Sequence, residues 1–325
     1  MKLEKAIFSA AFPSKAKEEV IKKESSRIRD NSCYRRYQMG VTSFDCLVVE
    51  SSESSGLILY FHSNGCVLGP SLLSHLQQLS SLFSKTIVAI EYPGYGLSED
   101  ACTVNNFFAV TEAAANYFQT ARYEKESLIL FGRSLGCVAA CYLASILPHV
   151  AGVILESAFS SVKDIMGVSY YVLNKQSRDL VNRLSCTRYL EKVSCPKCII
   201  YGTCDQFSRS RSQRKLLTYF HSSDMVCRYP GFHHNNIPRG SRHGTCLFAS
   251  PQCCMPCVYA PSTEPVDADY KSSLQLFINI VDVVSAEKEI YCHTLDKHSI
   301  EMVPLPMENE EVAYLSATET SDCFS

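Results

Sequence analysis

The chain has 325 residues, of which 46% are hydrophobic and 20% are charged, and its formal net charge is -2. This composition is typical of a globular protein and excludes a wholly disordered or fibrous chain. The nearly balanced charge gives no general indication of nucleic-acid binding. No stretch reaches the roughly 20 consecutive apolar residues that a membrane span requires.

The 17 cysteines are too few for a disulfide scaffold but many for a cytosolic enzyme. Their number is odd, so at least one has no partner within the chain, and no convincing secretory signal is present. We therefore expect a cytoplasmic protein whose thiols are mostly free.

Residues 1–40 are predicted to form a basic N-terminal arm, in which lysine and arginine outnumber the acidic residues. The simpler interpretation is a solvated helix. The alternative is an interfacial anchor that would place the peripheral enzyme on anionic lipid. The apolar side chains available to such an anchor are Leu3, Ile7, Phe8 and Phe12.

Short apolar runs alternate with helical segments from Phe44 to Tyr229, which predicts a mostly parallel α/β sheet with helices on both faces. The predicted strands are Phe44–Val49, Leu57–Phe61, Thr86–Glu91, Leu128–Phe131, Gly152–Leu155, Lys197–Tyr201 and Asp224–Tyr229. The predicted helices between them are Ser71–Phe83, Asn105–Ala121, Leu135–Leu147 and Arg209–Phe220. Ligands of such sheets bind beyond the carboxyl ends of the strands.

One α/β domain is predicted over residues 41–286, with two interruptions. The first, 157–195, has the length of a short cap with a polar helix at its end, and the second, 238–269, is a loop rich in cysteine and proline. A helix over Tyr270–Ala286 follows, and an acidic flexible tail is predicted for 287–325. The residues of that helix with core-facing spacing are Leu274, Phe277, Ile278 and Val281.

The strongest chemical signal is the run Gly132-Arg133-Ser134-Leu135-Gly136, which fits the pattern G-x-S-x-G between a strand and a helix. The glycines leave room for the neighbouring strand and helix, and the helix N-terminus favours negative charge that develops near the serine. The run therefore predicts Ser134 as a nucleophile. The simpler alternative is a tight turn whose serine caps the helix.

A serine nucleophile needs a base to take its proton and a carboxylate to orient that base. Asp205 follows one predicted strand, and the adjacent residues His233 and His234 follow the last one, so the order and the positions both fit. Neighbouring side chains diverge, so only one of these histidines can point at Ser134. The simpler role for Asp205 is that of an N-cap for the next helix.

Two backbone N–H groups are needed to stabilise the oxyanion of such a reaction. Leu135, directly after the serine, is one candidate donor. Asn64, in the loop after the strand Leu57–Phe61, is the other.

The motifs described so far resemble, in this order, those of the α/β-hydrolase-fold serine hydrolases. The runs that carry the resemblance are His62–Gly65, Tyr92–Ser98, Gly132–Gly136, Gly202–Asp205 and Gly231–Asn235. Within that superfamily the chain is most similar to the seventeenth subgroup of α/β-hydrolase-domain proteins and to their Bem46-like relatives. This resemblance implies a membrane-associated cytosolic enzyme that removes palmitoyl groups from protein cysteines.

Carried onto this sequence, the resemblance implies Ser134 as nucleophile, Asp205 as acid and His234 as base. His234 is selected because the family's Gly-x-Gly-His-Asn-Asp run aligns with residues 231–236. No metal or organic cofactor is expected for this chemistry. The chain departs from the family's pattern at Ser63, Phe232, His233 and Asn236.

The sequence thus predicts a serine hydrolase that cleaves acyl thioesters or esters, with a palmitoylated protein as the first choice of substrate. The alternatives are a monoacylglycerol or small-ester lipase, a serine aminopeptidase-like hydrolase, and a pseudo-hydrolase that serves as a binding module. No nucleic-acid partner is expected. The apolar residues that would suit an acyl-chain pocket, or simple packing, are Ile165, Met166, Val168, Tyr170, Tyr171 and Val172.

The run Cys253-Cys254-Met255-Pro256-Cys257 has three interpretations. It is a mobile loop with free thiols, or a set of acylation sites at Cys253, Cys254 and Cys257, or part of a zinc site with His243. Two acyl chains would give stable membrane attachment. Because no well-spaced second ligand pair accompanies the run, no metal site is predicted.

Four basic residues follow Asp205 and form the last motif whose role the sequence leaves undecided. They indicate either a solvated helix face or a contact with an anionic membrane or an acidic protein. They are Arg209, Arg211, Arg214 and Lys215.

Overall fold

The computed structural model describes residues 23–52, 56–98, 100–121, 127–208, 210–222, 224–229, 234 and 268–295. The chain divides into two units, Met1–Ser285 and Ala286–Ser325, and the sheet and the candidate site lie in the first.

The described residues contain an eight-stranded sheet and the helices that flank it. The strands are β1 (Tyr34–Met39), β2 (Thr42–Val49), β3 (Gly56–Phe61), β4 (Thr86–Ile90), β5 (Ser127–Arg133), β6 (Val150–Glu156), β7 (Lys197–Gly202) and β8 (Met225–Tyr229). The α-helices are α1 (Pro70–Phe83), α2 (Val104–Ala121), α3 (Gly136–Ile146), α4 (Val162–Met166), α5 (Lys175–Arg183), α6 (Cys186–Leu190), α7 (Ser210–Leu217) and α8 (Ala268–Leu295). A 3₁₀ helix spans Gly167–Val172.

The strands are arranged in the order β1-β2-β4-β3-β5-β6-β7-β8. The β1–β2 and β2–β4 pairs are antiparallel, whereas every other pair in the sheet is parallel. The carboxyl ends of β3 to β8 therefore share one edge of the sheet, and the loops that carry the predicted site residues begin there.

Alternation along β3 shows how the sheet is covered on both faces. Leu57, Leu59 and Phe61 belong to one core cluster, with side chains of α2 and α3. Ile58 and Tyr60 belong to a second cluster, with side chains of α1 and α8. Successive side chains of a strand point to opposite faces, so this central strand is apolar throughout.

The predicted core face of the last helix is confirmed. Its four apolar residues at helical spacing are all buried: Leu274, Phe277, Ile278 and Val281. The helix differs from the prediction in its length, because α8 continues to Leu295 instead of ending at Ala286, and it includes residues assigned to the flexible tail. Helical hydrogen bonds alone can extend a helix past the apolar stripe that signals it in the sequence.

The sheet also begins earlier than predicted, because β1 lies within the segment assigned to the basic arm. Its sequence, YRRYQM, lacks an apolar run, since the strand is at the sheet edge and is half exposed. Gly40, with φ of 60°, occupies the turn that joins β1 to β2. Tyr37 contributes the buried contact, with its ring centroid 4.5 Å from that of Tyr117.

The predicted cap between β6 and β7 consists of three short α-helices and the 3₁₀ helix, whereas the sequence predicted one polar helix at its end. Each α-helix has its own N-cap side chain, which explains the division. Ser161 accepts a hydrogen bond from Asp164 N, Asn174 from Ser177 N, and Ser185 from Arg188 N.

The described cysteines from Cys33 to Cys227 are all free thiols, and Cys137 and Cys141 are buried. In those same ranges, no helix combines the length and the apolar character needed to cross a bilayer.

Candidate active site

Ser134 lies on a strained turn between β5 and α3. Its φ is 51°, in the left-handed region that a non-glycine residue rarely adopts. The neighbouring glycines make the turn possible: a Cβ on Gly136 would overlap the carbonyl oxygen of Phe61, and one on Gly132 would lie 2.6 Å from Cys137 Cα. The backbone N–H of Ser134 donates to the carbonyl of Glu156 over 2.9 Å, which attaches the turn to β6.

Three polar side chains from distant parts of the chain form a continuous series of hydrogen bonds at this turn. His234 Nε2 lies 2.8 Å from Ser134 Oγ, and His234 Nδ1 lies 2.7 Å from Asp205 Oδ2. A carboxylate accepts only, so Nδ1 carries a proton and Nε2 of the neutral ring is left to accept from the serine. The structure thus brings together the three residues that the resemblance implied, whereas His233 lies outside the described residues.

Asp205 is held by the loop after β7. Its Oδ1 accepts from the backbone N–H groups of Phe207 and Ser208, each over 2.8 Å, and leaves Oδ2 to the histidine. The first residue of α7 is Ser210, so Asp205 is not the N-cap of that helix. The carboxyl group therefore has both oxygens engaged while it is almost fully buried.

Two further residues hold His234, and neither was predicted from the sequence. The Phe207 ring contacts the imidazole edge to face, with centroids 4.9 Å apart. Ser157 Oγ donates to the backbone carbonyl of His234 over 2.9 Å. Ser157 follows β6 directly and has a φ of 51°, so its place just after a strand was the signal that could have found it.

A buried thiol lies next to Ser134. Cys137 Sγ donates to the carbonyl of Gly132 over 3.1 Å. Burial raises the pKa of the Cys137 thiol well above its usual range. The thiol therefore stays protonated and serves the turn as a small packed side chain.

The two candidate oxyanion donors lie just after the ends of neighbouring strands, β3 and β5, at the same edge of the sheet. Phe61 at the end of β3 pairs with Gly132 of β5, and Asn64 follows three residues later. The side chain of Asn64 accepts from the Tyr95 hydroxyl over 2.8 Å. Leu135 precedes the first helical residue of α3, and an N–H at a helix start has no acceptor within its own helix.

A buried His–Glu pair supports the loop that contains Asn64. His62 Nε2 lies 3.0 Å from Glu91 Oε1, and Glu91 Oε2 accepts from the backbone N–H of Leu68 over 3.0 Å. The Tyr92 hydroxyl donates to the carbonyl of His62 over 2.7 Å. These contacts join the loop after β3 to the loop after β4, so the run after β4 has a structural role.

A buried ion pair lies below the serine turn and was not anticipated from the sequence. Arg133 Nε lies 3.0 Å from Glu156 Oε1, and both side chains are almost inaccessible to solvent. The Tyr270 hydroxyl of α8 donates to Glu156 Oε2 over 2.5 Å. Burial, with the nearby carboxylate, raises the pKa of Tyr270 well above its ordinary value, so this hydroxyl remains a donor.

For the apolar residues of the cap the sequence left an acyl-chain pocket or simple packing open, and three of the six do neither. Val168, Tyr171 and Val172 are 85%, 66% and 84% exposed, whereas Tyr170 is buried. A 3₁₀ helix of six residues turns one side chain inward and leaves its other face in solvent.

The cysteine-rich run, with Cys253, Cys254 and Cys257, lies outside the described residues, as do His243 and the basic residue Arg209. Acylation of those cysteines stays a prediction. Within the described residues, no group of three or more His, Cys, Asp or Glu side chains could hold a metal ion.

The strand order and the serine turn define the α/β-hydrolase fold, and comparison with solved structures agrees. An esterase of Pyrococcus furiosus superposes with a TM-score of 0.55 at 12% sequence identity, covering 76% of this chain and 90% of the esterase. At this identity the likeness shows the fold alone. The predicted fold class is therefore confirmed.

Curated proteins extend the comparison beyond the fold. Over 164 residues the chain is 27% identical to the protein Bem46 of Schizosaccharomyces pombe, covering 49% of this chain and 54% of Bem46. It is 30% identical over 164 residues to alpha/beta hydrolase domain-containing protein 17C of Xenopus tropicalis, covering 50% of each chain. No protein-family model matches the chain.

The chain spans about half the length of the curated relatives that it matches. The resemblance to Bem46 and to the seventeenth subgroup that the motifs indicated is confirmed.

Proposed function

We propose that the protein is a serine hydrolase that cleaves acyl thioesters or esters through an acyl-serine intermediate at Ser134. The observation that carries the proposal is the hydrogen-bonded series Ser134–His234–Asp205, with distances of 2.8 and 2.7 Å. A hydroxyl on a strained turn, a neutral imidazole within reach and a buried carboxylate behind it are the parts that acyl transfer to serine requires.

In the proposed first step, Ser134 Oγ attacks the acyl carbonyl carbon while His234 Nε2 takes the hydroxyl proton. The Asp205 carboxylate stabilises the imidazolium that forms and keeps its ring in place. The same histidine then gives its proton to the leaving thiolate or alkoxide. In the second step, water deprotonated by His234 attacks the acyl-serine, and the acid is released as the bond to Ser134 Oγ breaks and that oxygen takes the proton back from His234.

The negative charge on the substrate oxygen would be stabilised by the backbone N–H groups of Leu135 and Asn64. Leu135 is supported by its position at the start of α3, where the helix dipole also favours negative charge. Asn64 is supported by the hydrogen bond from Tyr95, which orients its residue.

The proposed substrate is a palmitoylated protein, and the proposed enzyme is cytoplasmic with peripheral membrane contact. The resemblance to the seventeenth subgroup supports this choice over a monoacylglycerol, a small ester or an aminoacyl amide. The same triad geometry serves many substrates, so the choice has to be tested by chemistry. A panel of palmitoyl thioester, monoacylglycerol and aminoacyl amide should give the highest kcat/KM for the thioester, and a higher value for either other class would replace the proposed substrate.

Labelling with a fluorophosphonate probe tests the proposed chemistry directly. We expect the wild-type chain to be labelled and Ser134→Ala to remain unlabelled, with kcat for ester hydrolysis lower by about 10⁴-fold or more. The matched control is Ser145→Ala on α3, whose hydroxyl donates to the Tyr142 carbonyl and which should label as wild type. Wild-type protein that never labels would favour the pseudo-hydrolase, and labelling that persists in Ser134→Ala would exclude Ser134 as nucleophile.

A further inference from the structure

The cap carries a row of apolar side chains that face solvent, which we name the cap stripe. The 3₁₀ helix places residues three apart above one another, so Val168 and Tyr171 align, and Ile165 extends the row into α4. The members of the cap stripe are Ile165, Val168, Tyr171 and Val172, with exposures of 43%, 85%, 66% and 84%. Apolar side chains exposed together in this way indicate an interaction site.

The cap stripe lies on a segment that is held firmly from below. Tyr170, between two members of the stripe, is buried, and its hydroxyl donates to Asn182 Oδ1 over 3.0 Å. Asp164 receives hydrogen bonds from Ser160 and Ser161. The cap stripe is therefore part of an ordered surface, because hydrogen bonds fix the segment that carries it.

The surroundings of the cap stripe are basic. Lys215 Nζ lies 2.7 Å from Asp164 Oδ1, which joins α7 to the cap. The segments 162–183 and 210–217 together contain seven lysines and arginines against two aspartates, in a chain of net charge -2. Arg211 and Arg214 on α7 are exposed. The cap stripe is therefore flanked by segments of net positive charge, whereas the rest of the chain has a net negative charge.

We propose that the cap stripe docks the protein onto an anionic lipid bilayer. Its four apolar side chains would enter the interfacial region, and the basic residues of the cap and α7 would lie over the headgroups. A second copy of this chain would bring like charges together, and a free acyl chain needs a concave site rather than an exposed row.

This inference rests on the proposed function, because an enzyme that acts on lipidated proteins has to reach the bilayer that holds them. The cap leaves the sheet after β6, and Ser157, the first residue after that strand, bonds the His234 backbone. A bilayer bound at the cap would thus hold lipidated proteins near Ser134.

The absence of tryptophan in the chain allows a direct test. In the full chain, Val168→Trp places the only indole on the cap stripe, and Val41→Trp places it on the β1–β2 turn, where Val41 is also fully exposed. With phosphatidylcholine–phosphatidylserine vesicles we expect a blue shift for Val168→Trp, weakened by salt, and none for Val41→Trp. Equal behaviour of the two variants would overturn the proposal, as would a shift without vesicles that grows with protein concentration.

Vesicle co-sedimentation gives a second measurement. Val168→Asp/Val172→Asp should bind phosphatidylserine-containing vesicles about tenfold more weakly than wild type, because two charged groups would have to enter the interface, whereas Val41→Asp should bind as wild type. Unchanged binding of the double variant, or no binding of wild type, would overturn docking by the cap stripe.

Fluorophosphonate labelling of the same samples separates this inference from the proposed function. Both aspartate variants should label like wild type, because neither changes the serine turn. A wild-type chain that binds vesicles but never labels would contradict the hydrolase alone, and normal labelling with unchanged vesicle binding would contradict the cap stripe alone.

Discussion

Single side chains at the candidate site have their orientation set by one or two hydrogen bonds each. Asp205 accepts hydrogen bonds from two backbone N–H groups on one oxygen and from His234 on the other, so its position does not depend on the histidine alone. Asn64 likewise has its side-chain oxygen on the Tyr95 hydroxyl. Changes of a single atom at such residues are therefore expected to alter reactivity more than folding.

Tyr95→Phe removes the hydroxyl that orients Asn64 and keeps the ring in the core. We expect kcat for ester hydrolysis to fall about tenfold with KM nearly unchanged. A misplaced oxyanion donor stabilises the transition state less, while substrate binding is hardly affected. Steady-state kinetics measures this split. Tyr142→Phe, whose hydroxyl bonds Glu112 away from the serine turn, is the control. A wild-type kcat in Tyr95→Phe would exclude the positioning role.

His75 on α1 gives the protein a specific sensitivity to acid. Burial, with a smaller effect of Arg133, lowers the pKa of His75 from 6.5 to about 3. Between these values the unfolded chain binds a proton that the folded chain excludes, so stability is present above the unfolded pKa and is lost as the pH falls.

In His75→Leu, the free energy of unfolding should therefore decline less steeply between pH 6.5 and 3, by up to about 1.4 kcal/mol per pH unit. Urea unfolding at several pH values measures this slope. The exposed His149 provides the control, because His149→Leu removes a histidine that solvent already reaches. Parallel slopes for wild type and His75→Leu would show that the folded chain accepts this proton.

At the scale of secondary structure, the site depends on how closely β3, β5 and α3 approach one another. The serine turn brings the start of α3 against the end of β3, and the contact is between backbone atoms. Backbone cannot move aside as a flexible side chain can, so this packing tolerates no added methyl group.

Gly136→Ala should accordingly destabilise the protein by about 3 kcal/mol or more, because its Cβ would overlap the Phe61 carbonyl. Thermal or urea unfolding measures the loss. Gly40→Ala is the matched control: Gly40 has a φ of 60° but no atom within 4 Å of an added Cβ, so only the backbone strain of about 1–2 kcal/mol is expected. Equal losses in the two variants would contradict a steric cause at Gly136.

At the scale of the whole first unit, the last part of the fold is connected to the serine turn. Residue Tyr270 near the start of α8 bonds Glu156, whose backbone carbonyl holds Ser134 and whose side chain pairs with Arg133. Residues far apart in the chain thus meet in one buried polar cluster, in which an uncompensated group is costly.

Tyr270→Phe should lower the free energy of unfolding by about 1–3 kcal/mol, because a buried carboxylate oxygen loses a donor while the ring stays packed. Urea unfolding checks the value. Tyr229→Phe removes a half-buried hydroxyl that bonds Ser273, and should cost less. If Tyr270→Phe is as stable as wild type, the cluster does not fasten α8 to the turn.

The elements that have local signals could be predicted from the sequence alone. Apolar runs predicted seven of the strands, helical spacing predicted the core face of α8, and G-x-S-x-G predicted the serine turn. These features were predictable because each depends on residues that are close in the chain. The edge strand β1 was missed because it has no such local signal: half of its surface is solvated, and its sequence is polar.

Features that depend on residues far apart in the chain became visible only in the folded molecule. His234 and Ser134 are separated by 100 positions, and their 2.8 Å contact exists because parallel strands end at one edge of the sheet. The buried Arg133–Glu156 pair and the solvent-facing cap stripe likewise have no local signature, because burial and exposure are set by the packing of the whole unit. Composition specifies which residues are apolar, but only packing specifies which of them remain in water.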